Sequence, residues 1–335
     1  MSELVFEKAL KGSRAYSQIQ SDLKSGLSHA YIISSNDDVV VDEFFTLIAA
    51  AIFCENSHSA CLNCAECRKV LHGNHADVFH VNLKRDKIKV EDVNNMLSSV
   101  YIKSLSGRKL YFIHRADLMN VQAQNKLLKT FEEPPADVTV FLGVANESAM
   151  LDTIKSRART IHIDVFDKDS VYAAMLALGC DEEMSAVASA CSEGMLGKAR
   201  KIATSPEYGI LYRSALDLMS GLNKSSDVAR LDGAVANEEN ITAFLDVLSI
   251  IVRDMMLAES QPNMVLSKHV ADKISALAQK YSPLALAKIL AIINDTRRQL
   301  SLNVSALSAI DNLLFSILEV RHKFQNKTPS NTEVR

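Results

Sequence analysis

At 335 residues the chain exceeds what a single hydrophobic core ordinarily holds, which predicts two or three domains. Hydrophobic residues make up 48% and charged residues 23%, the ordinary balance of a globular protein, while 11 Gly, 6 Pro and no Trp predict a helix-rich build with few tight turns. A formal net charge of −3 excludes a global basic field that recruits nucleic acid, so any DNA contact is local or shared with partners.

The opening residues, Met1 to Tyr16, lack the apolar core of a secretory signal, and the best apolar run, Phe44 to Phe53, is far too short for a membrane span. A cytoplasmic chain with reduced thiols and no membrane partner is the expectation. Along the first half, strands alternate with helices. HAYIIS (29–34) is an apolar strand, followed by a helix over about 42–53. ADVFHVN (76–82) reads as a strand and Val90–Val100 as a helix with Val93, Met96, Leu97 and Val100 on one face. KLYFIH (109–114) is a buried strand, and Gln122 to Phe131 a helix closed by EEPP. VTVFLGVA (138–145) and TIHIDVF (160–166) supply two further strands. Such alternation predicts a parallel sheet covered on both faces by helices, an α/β domain over residues 1–166.

From about Asp167 only helices remain. Ser170–Leu178, Glu182–Cys191 and Leu196–Ala203 make a small three-helix unit over 167–205. An all-α domain over 206–325 follows. Its clearest helix carries Ile241, Phe244, Leu245, Leu248, Ile251, Val252 and Met255 at helical spacing, and another runs through Leu307, Ile310, Leu314 and Ile317. The polar tail, 326–335, is expected to be disordered.

Four of the six cysteines, Cys54, Cys61, Cys64 and Cys67, form a C-x6-C-x2-C-x2-C array. In a reducing compartment such clustering reads as metal binding, and four thiolates in a tight loop make a closed tetrahedral site for a structural Zn2+. His58, His72 and His75 are substitutes if one Cys is not a ligand. An iron–sulfur cluster is the rival, but the ferredoxin run continues into a Cys-Pro, whereas Cys67 is followed by Arg68-Lys69-Val70. Cys180 and Cys191 lie on helices and read as core residues.

Taken together, HAYIIS, the four cysteines, HADVFHVN, KLYFIHRADLM, QNKLLKTFEEPP and TIKSRA resemble the AAA+ module of bacterial DNA polymerase III clamp-loader subunits, relatives of gamma and tau. NKLLKTFEEPP (125–135) is the most specific piece, and the likeness covers roughly residues 15–200 by motif. It implies an AAA+ domain with an inserted four-Cys zinc module (54–67), a helical lid and a C-terminal helical collar. Within the family that module is shared by the hydrolysing gamma/tau type and the non-hydrolysing delta-prime type.

A phosphate-binding loop needs glycines, a Lys and a Ser or Thr. After the first strand this sequence has SNDDVVVD (35–42): Ser35, Asp38 and Val40 stand for the glycines, Val41 for the Lys and Asp42 for the hydroxyl. Asp37, Asp38 and Asp42 repel a triphosphate, and the β-branched residues hinder the cradle. After KLYFI, where an ATPase of the family carries Asp-Glu for magnesium and water, His114 and Arg115 stand instead, with Asp117 further on as a candidate cap. No ATP of its own is expected. TIKSRA (153–158) resembles the family's Ser-Arg-Cys motif, which implies that Arg157, beside Ser156, is an arginine finger for a neighbour's γ-phosphate. Ala158 departs from the usual Cys. A surface Arg capping a helix end is the alternative, and Arg159 is a second candidate. Gly197 stands near where ATPase relatives place a phosphate-sensing Arg, with Lys198 and Arg200 nearby. The basic run Lys84, Arg85, Lys87, Lys89 reads as a solvated loop or a phosphate contact.

The resemblance implies a stator-like subunit in a hetero-oligomeric ring with gamma/tau and delta, acting with the sliding clamp and primer-template DNA. Two alternatives stand beside it: an active gamma/tau-like ATPase, and a zinc-stabilised interaction protein outside replication.

Overall fold

The computed structural model describes residues 4–57, 59–221, 238–258, 271–302 and 304–324. The tail 326–335 and His58 lie outside them, as does the side chain of Leu307. The chain divides into two compact units, one of residues up to Ser170 with Met195–Gly197, the other of Val171–Gly194 and everything from Lys198 onward.

In the first unit, helices α1 (Glu7–Lys11) and α2 (Arg14–Ser25) precede strand β1 (Ala30–Ser34) and helix α3 (Asp38–Phe53). The short helix α4 (Ala65–Leu71) leads to β2 (Val78–Val81), α5 (Val90–Val100) and β3 (Lys109–Ile113). Helix α6 (Val121–Glu132), β4 (Val138–Val144), α7 (Asp152–Lys155) and β5 (Arg159–His162) complete it. All strands pair in parallel, in the order β2-β3-β4-β1-β5. β3 and β4 are buried along their whole length, as strands covered on both faces must be. On one face Ile32, Tyr111, Ile113, Val140 and Leu142 pack with Val93, Met96, Leu127 and Phe131 of α5 and α6. On the other, Phe112 and Phe141 stack at 5.0 Å and Phe45 of α3 closes on Phe112 at 4.8 Å.

Two elements differ from the sequence reading. Helix α3 begins at Asp38, four residues before the expected 42, because Asp37 caps it and Val40 and Val41 are buried. Burial outweighs the weak helix propensity of the β-branched run. The last strand covers 159–162 and not 160–166: only Tyr31 to Ser34 pair with it at the sheet edge, and Val165 is exposed. The named elements of the second unit, among its described residues, are all helices, and α8 (Lys168–Ala177) begins in the first unit and continues in the second. It contains α9 (Glu182–Cys191), most of α10 (Leu196–Thr204), α11 (Pro206–Gly221), and helices Glu238–Leu257, Ala271–Ala278, Pro283–Ser301 and Ala306–Phe324. Every residue of the stripe from Ile241 to Met255 that defined the clearest helix is buried, as are Ile310, Leu314 and Ile317. Cys191 is buried there too, and burial pushes its thiol up to about 12, while Cys180 is half-buried. No helix among the described residues is long and apolar enough to cross a membrane.

Candidate functional site

In a parallel α/β sheet, ligands collect beyond the carboxyl ends of the strands. Here that corner holds residues 35–42, which follow β1, and 114–117, which follow β3. Instead of an open loop, Asp37 caps α3: its Oδ1 accepts from the N–H groups of Val39 (3.2 Å) and Val40 (3.4 Å), and its Oδ2 from Gly197 N–H (2.7 Å). A helix N-terminus favours an anion, and the chain's own carboxylate fills that role. Asp37 is only 8% exposed; burial pushes its carboxyl up, against the pull of those three N–H groups. Val41, expected from the sequence to stand for a phosphate-binding Lys, points into the sheet, where a Cβ on Gly143 would come within 2.9 Å of its Cγ1. Gly197, expected from the sequence to lie near where relatives place a phosphate-sensing Arg, is as tight: a Cβ there would lie 2.4 Å from Asp37 Oδ1 and 3.0 Å from Val39.

The remaining acidic residues are paired internally. Arg85 Nε lies 3.4 Å from Asp38 Oδ2, and its Nη2 meets Asp42 Oδ2. His114 Nδ1 lies 2.6 Å from Asp42 Oδ1, and its Nε2 lies 2.9 Å from His80 Nδ1. Arg115 grips Asp117 with Nε and Nη2 at 3.1 and 3.0 Å and reaches Asp38 at 3.4 Å. Asp117 is therefore the buried partner of a bidentate guanidinium. It also accepts a 3.4 Å hydrogen bond from the Ala145 N–H. Arg115 takes a left-handed backbone, φ 51°, a conformation that costs a non-glycine residue about 1 kcal/mol. Arg85 is aimed by its loop: Asn82 donates to the His114 carbonyl and accepts from Asp86 N–H, tying residues 82–86 to the end of β3. Arg85 thus faces inward, whereas Lys84, Lys87 and Lys89 are exposed. Carboxylates thus stand on the side of the corner that follows β1, and bases on the side that follows β3.

Arg157 follows the single turn of α7, whose C-cap is Ser156. Its Nη1 donates to Thr153 O (3.0 Å), which is the helix-end capping contact, and its Nη2 lies 3.0 Å from Glu132 Oε1 of the FEEPP segment. At 36% side-chain exposure the guanidinium is at the surface. Arg159 is tied down: its Nη1 lies 2.6 Å from Asp22, a buried carboxylate that also accepts from Tyr31 OH. Ala158 packs against the sheet core.

The cysteine loop runs from the C-cap of α3 to α4. Cys54, Cys61, Cys64 and Cys67 bring their sulfurs within 4.8 Å of one another, with Cys61 and Cys67 4.0 Å apart. A tetrahedral ion with 2.3 Å bonds to sulfur needs sulfurs about 3.8 Å apart, so the four fit one such ion. Left-handed residues Ala60 (φ 41°) and Leu62 (φ 61°) turn the chain tightly enough to close the set. N–H groups of Cys61, Cys64 and Cys67 point at the sulfurs of Cys54, Cys61 and Cys64 at 3.3–3.4 Å. Backbone N–H groups of Asn63 and Cys64 lower the Cys61 thiol to about 6; the Cys54 thiol is lowered as well, N–H donors outweighing its burial. Burial pushes Cys67 up. His72 is bonded to Arg68 O and His75 is stacked on Phe53 beside Glu66, so both are occupied elsewhere.

Residues 12–167 match the family model for the DNA polymerase III delta subunit. The chain is 33% identical over 150 residues to the DNA polymerase III subunit delta' of Bacillus subtilis, covering 44% of each chain. It is 32% identical over 135 residues to subunit delta' of Pseudomonas aeruginosa, 39% of this chain and 41% of that one. With subunit tau of Escherichia coli it shares 31% over 157 residues, 44% of this chain and 24% of the relative. The matches span less than half the length of each of these relatives. A gamma-subunit-related protein of Thermotoga maritima overlaps 91% of the chain at 15% identity with a TM-score of 0.40, too loose to carry a conclusion. Delta' and tau relatives match to a like degree, so the residues must separate them.

Proposed function

We propose that this chain is a bacterial clamp-loader subunit of the AAA+ type and, within that family, the non-hydrolysing, delta-prime-type member of the ring. The observation that carries this is the filled corner. Asp37 sits on the helix N-terminus where a phosphate would go, and Arg85, His114 and Arg115 neutralise Asp38 and Asp42 where magnesium and the γ-phosphate would need the opposite signs. Ion pairs this exposed stabilise the fold by less than about 1 kcal/mol each. Their weight is in electrostatics and space: a nucleotide would have to break all of them and expel Asp37.

The chain's contribution to ATP turnover is then made in trans. Arg157, at the surface and held by Glu132 and the α7 carbonyl, is the finger for the γ-phosphate of a neighbouring gamma/tau subunit, with Ser156 beside it. A gamma/tau-like ATPase is the second reading, favoured by the tau relatives, and it requires the Asp37 plug to leave. The four cysteines hold a structural Zn2+, which when bound fixes residues 54–67 and supplies no reaction chemistry. Residues 167–205 serve as the lid and 206–325 as the collar, through which the ring forms with delta and gamma/tau to load the sliding clamp onto primed DNA.

Arg157→Ala in a complex reconstituted from all subunits tests the role. Assembly stays intact, while clamp- and DNA-stimulated ATPase falls. A finger is worth about three to five orders of magnitude at its own site, muted in the ring by the other sites. Arg157→Lys rescues poorly because Lys lacks the planar fork. Unchanged ATPase and clamp loading in Arg157→Ala would refute the trans role.

A further inference from the structure

The FEEPP segment that ends α6 carries a feature that helix physics disfavours. A carboxylate at the carboxyl end of a helix opposes the helix dipole, yet Glu132 and Glu133 both stand there, with only Lys129 basic in the last turn. The turn is pinned from both sides. Proline disfavours helical backbone in the residue before it, and Glu133 leaves the helix at φ −125°, ψ 68°. Phe131 is buried, with the His29 ring edge-on to it at 6.2 Å. Near the start of α6, the buried Gln124 ties the helix to the residues that lead into α7. Its Nε2 donates to Ala149 O at 2.9 Å and its Oε1 accepts from Leu151 N–H at 2.8 Å. Helix α6 is thus a fixed frame for the short helix that Ser156 and Arg157 follow.

The two carboxylates then part. Glu133 forms no ion pair among the described residues, while Glu132 Oε1 lies 3.0 Å from Arg157 Nη2. Nη1 of the same guanidinium donates to Thr153 O at 3.0 Å and to Ser156 Oγ at 3.4 Å. These contacts occupy both Nη1 hydrogens and one on Nη2, leaving Nε–H and the second Nη2–H for a ligand. We propose that Glu132 is a positioning residue for Arg157: its carboxylate holds the guanidinium in place before a neighbouring subunit's triphosphate arrives. This rests on the reading of Arg157 as a finger in trans. A free Arg side chain gives up much rotamer freedom on being fixed, and ordering it beforehand removes part of that cost from the transition state. Glu132 itself touches no substrate and acts on the reaction only through the guanidinium.

Single-turnover ATP hydrolysis by the complex reconstituted from all subunits resolves the site this chain completes as its own phase, the one that Arg157→Ala slows. Glu132→Ala should slow that phase about 2–5-fold, the range that an exposed ion pair can shift, while the steady-state KM for ATP stays unchanged. The thermal midpoint of the full chain should stay level or rise, because the variant also removes an acid from a helix C-terminus. A carboxylate with only a structural role would lower midpoint and rate together. Glu132→Ala should add nothing in an Arg157→Ala background, and Glu133→Ala should match the parent. A parent-like or faster phase in Glu132→Ala, or a further loss in the double variant, would overturn the proposal while leaving Arg157 its role. If Arg157→Ala itself slows no phase, the trans-finger reading falls and takes this one with it.

Discussion

The corner beyond β1 and β3 and the cysteine loop flank the two ends of one helix, α3, and differ in how their polar groups are satisfied. At its N-terminus the polar groups are satisfied within the chain: Asp37 accepts from three N–H groups, and Arg85, His114 and Arg115 pair with Asp38 and Asp42. At its C-terminus four sulfurs converge within 4.8 Å of one another, a spacing that could hold an ion, with N–H groups aimed at them. Whether a site works is decided by whether its polar groups are satisfied within the chain or left for a ligand.

The largest expected effect lies at the cysteine end. On the metal reading, Cys64→Ser removes one of four ligands while leaving a competent N-cap on α4, since a Ser hydroxyl accepts from Cys67 N–H as the sulfur does, and structural zinc contributes on the order of 10 kcal/mol to its local fold. Metal analysis should fall from about one ion per chain to almost none. Amide exchange should accelerate across 54–75 while Pro283–Ser301 stays protected. A loaded Cys64→Ser protein with unchanged exchange would erase the contrast between the two ends.

A smaller effect is expected at the other end. Gly197→Ala puts a Cβ 2.4 Å from Asp37 Oδ1, a clash that should cost about 1–3 kcal/mol in thermal unfolding. Asp37→Ser in the same chain should return part of that loss, because the two residues are in direct contact. Additive losses would mean that the plug does not bind Gly197 in solution.

The smallest effect is a pH dependence near the cysteine loop. Burial against Phe53 holds the His75 imidazole below its ordinary pKa, against the pull of Glu66 and Asp77. The unfolded chain therefore takes up a proton as pH drops below about 6.5 while the folded chain resists it, so stability is lost on acidification. His75→Gln should flatten that part of the urea-midpoint profile between about pH 7 and 5; parallel profiles would count against it.

Much of this was legible in the sequence, and the rest was hidden for identifiable reasons. The uniformly apolar β3 and β4 and the 3.6-residue stripes of α5 and Glu238–Leu257 carry their own periodicity, and their observed bounds lie within a few residues of those read. The hairpin α1–α2 passed unnoticed although Ala15, Tyr16, Ile19 and Asp22 recur at helical spacing. The early start of α3 had a local signal as well, an Asx residue before an apolar run, which the comparison with a phosphate loop obscured. What no local pattern could reveal were the distant partners. Arg85 read as part of a basic run, a solvated loop or a phosphate contact, yet it belongs to Asp42, 43 residues earlier. Arg159 belongs to Asp22, and Asp37 to Gly197, 160 residues away.

The most direct test of the central claim is equilibrium binding of ATP with Mg2+ to the isolated full-length chain, followed calorimetrically. A corner filled by Asp37 and closed by internal ion pairs should give no saturable heat up to millimolar nucleotide. Saturable binding at micromolar ATP that is lost on Asp42→Ala or Arg85→Ala would contradict the account and make this an ATP-binding subunit.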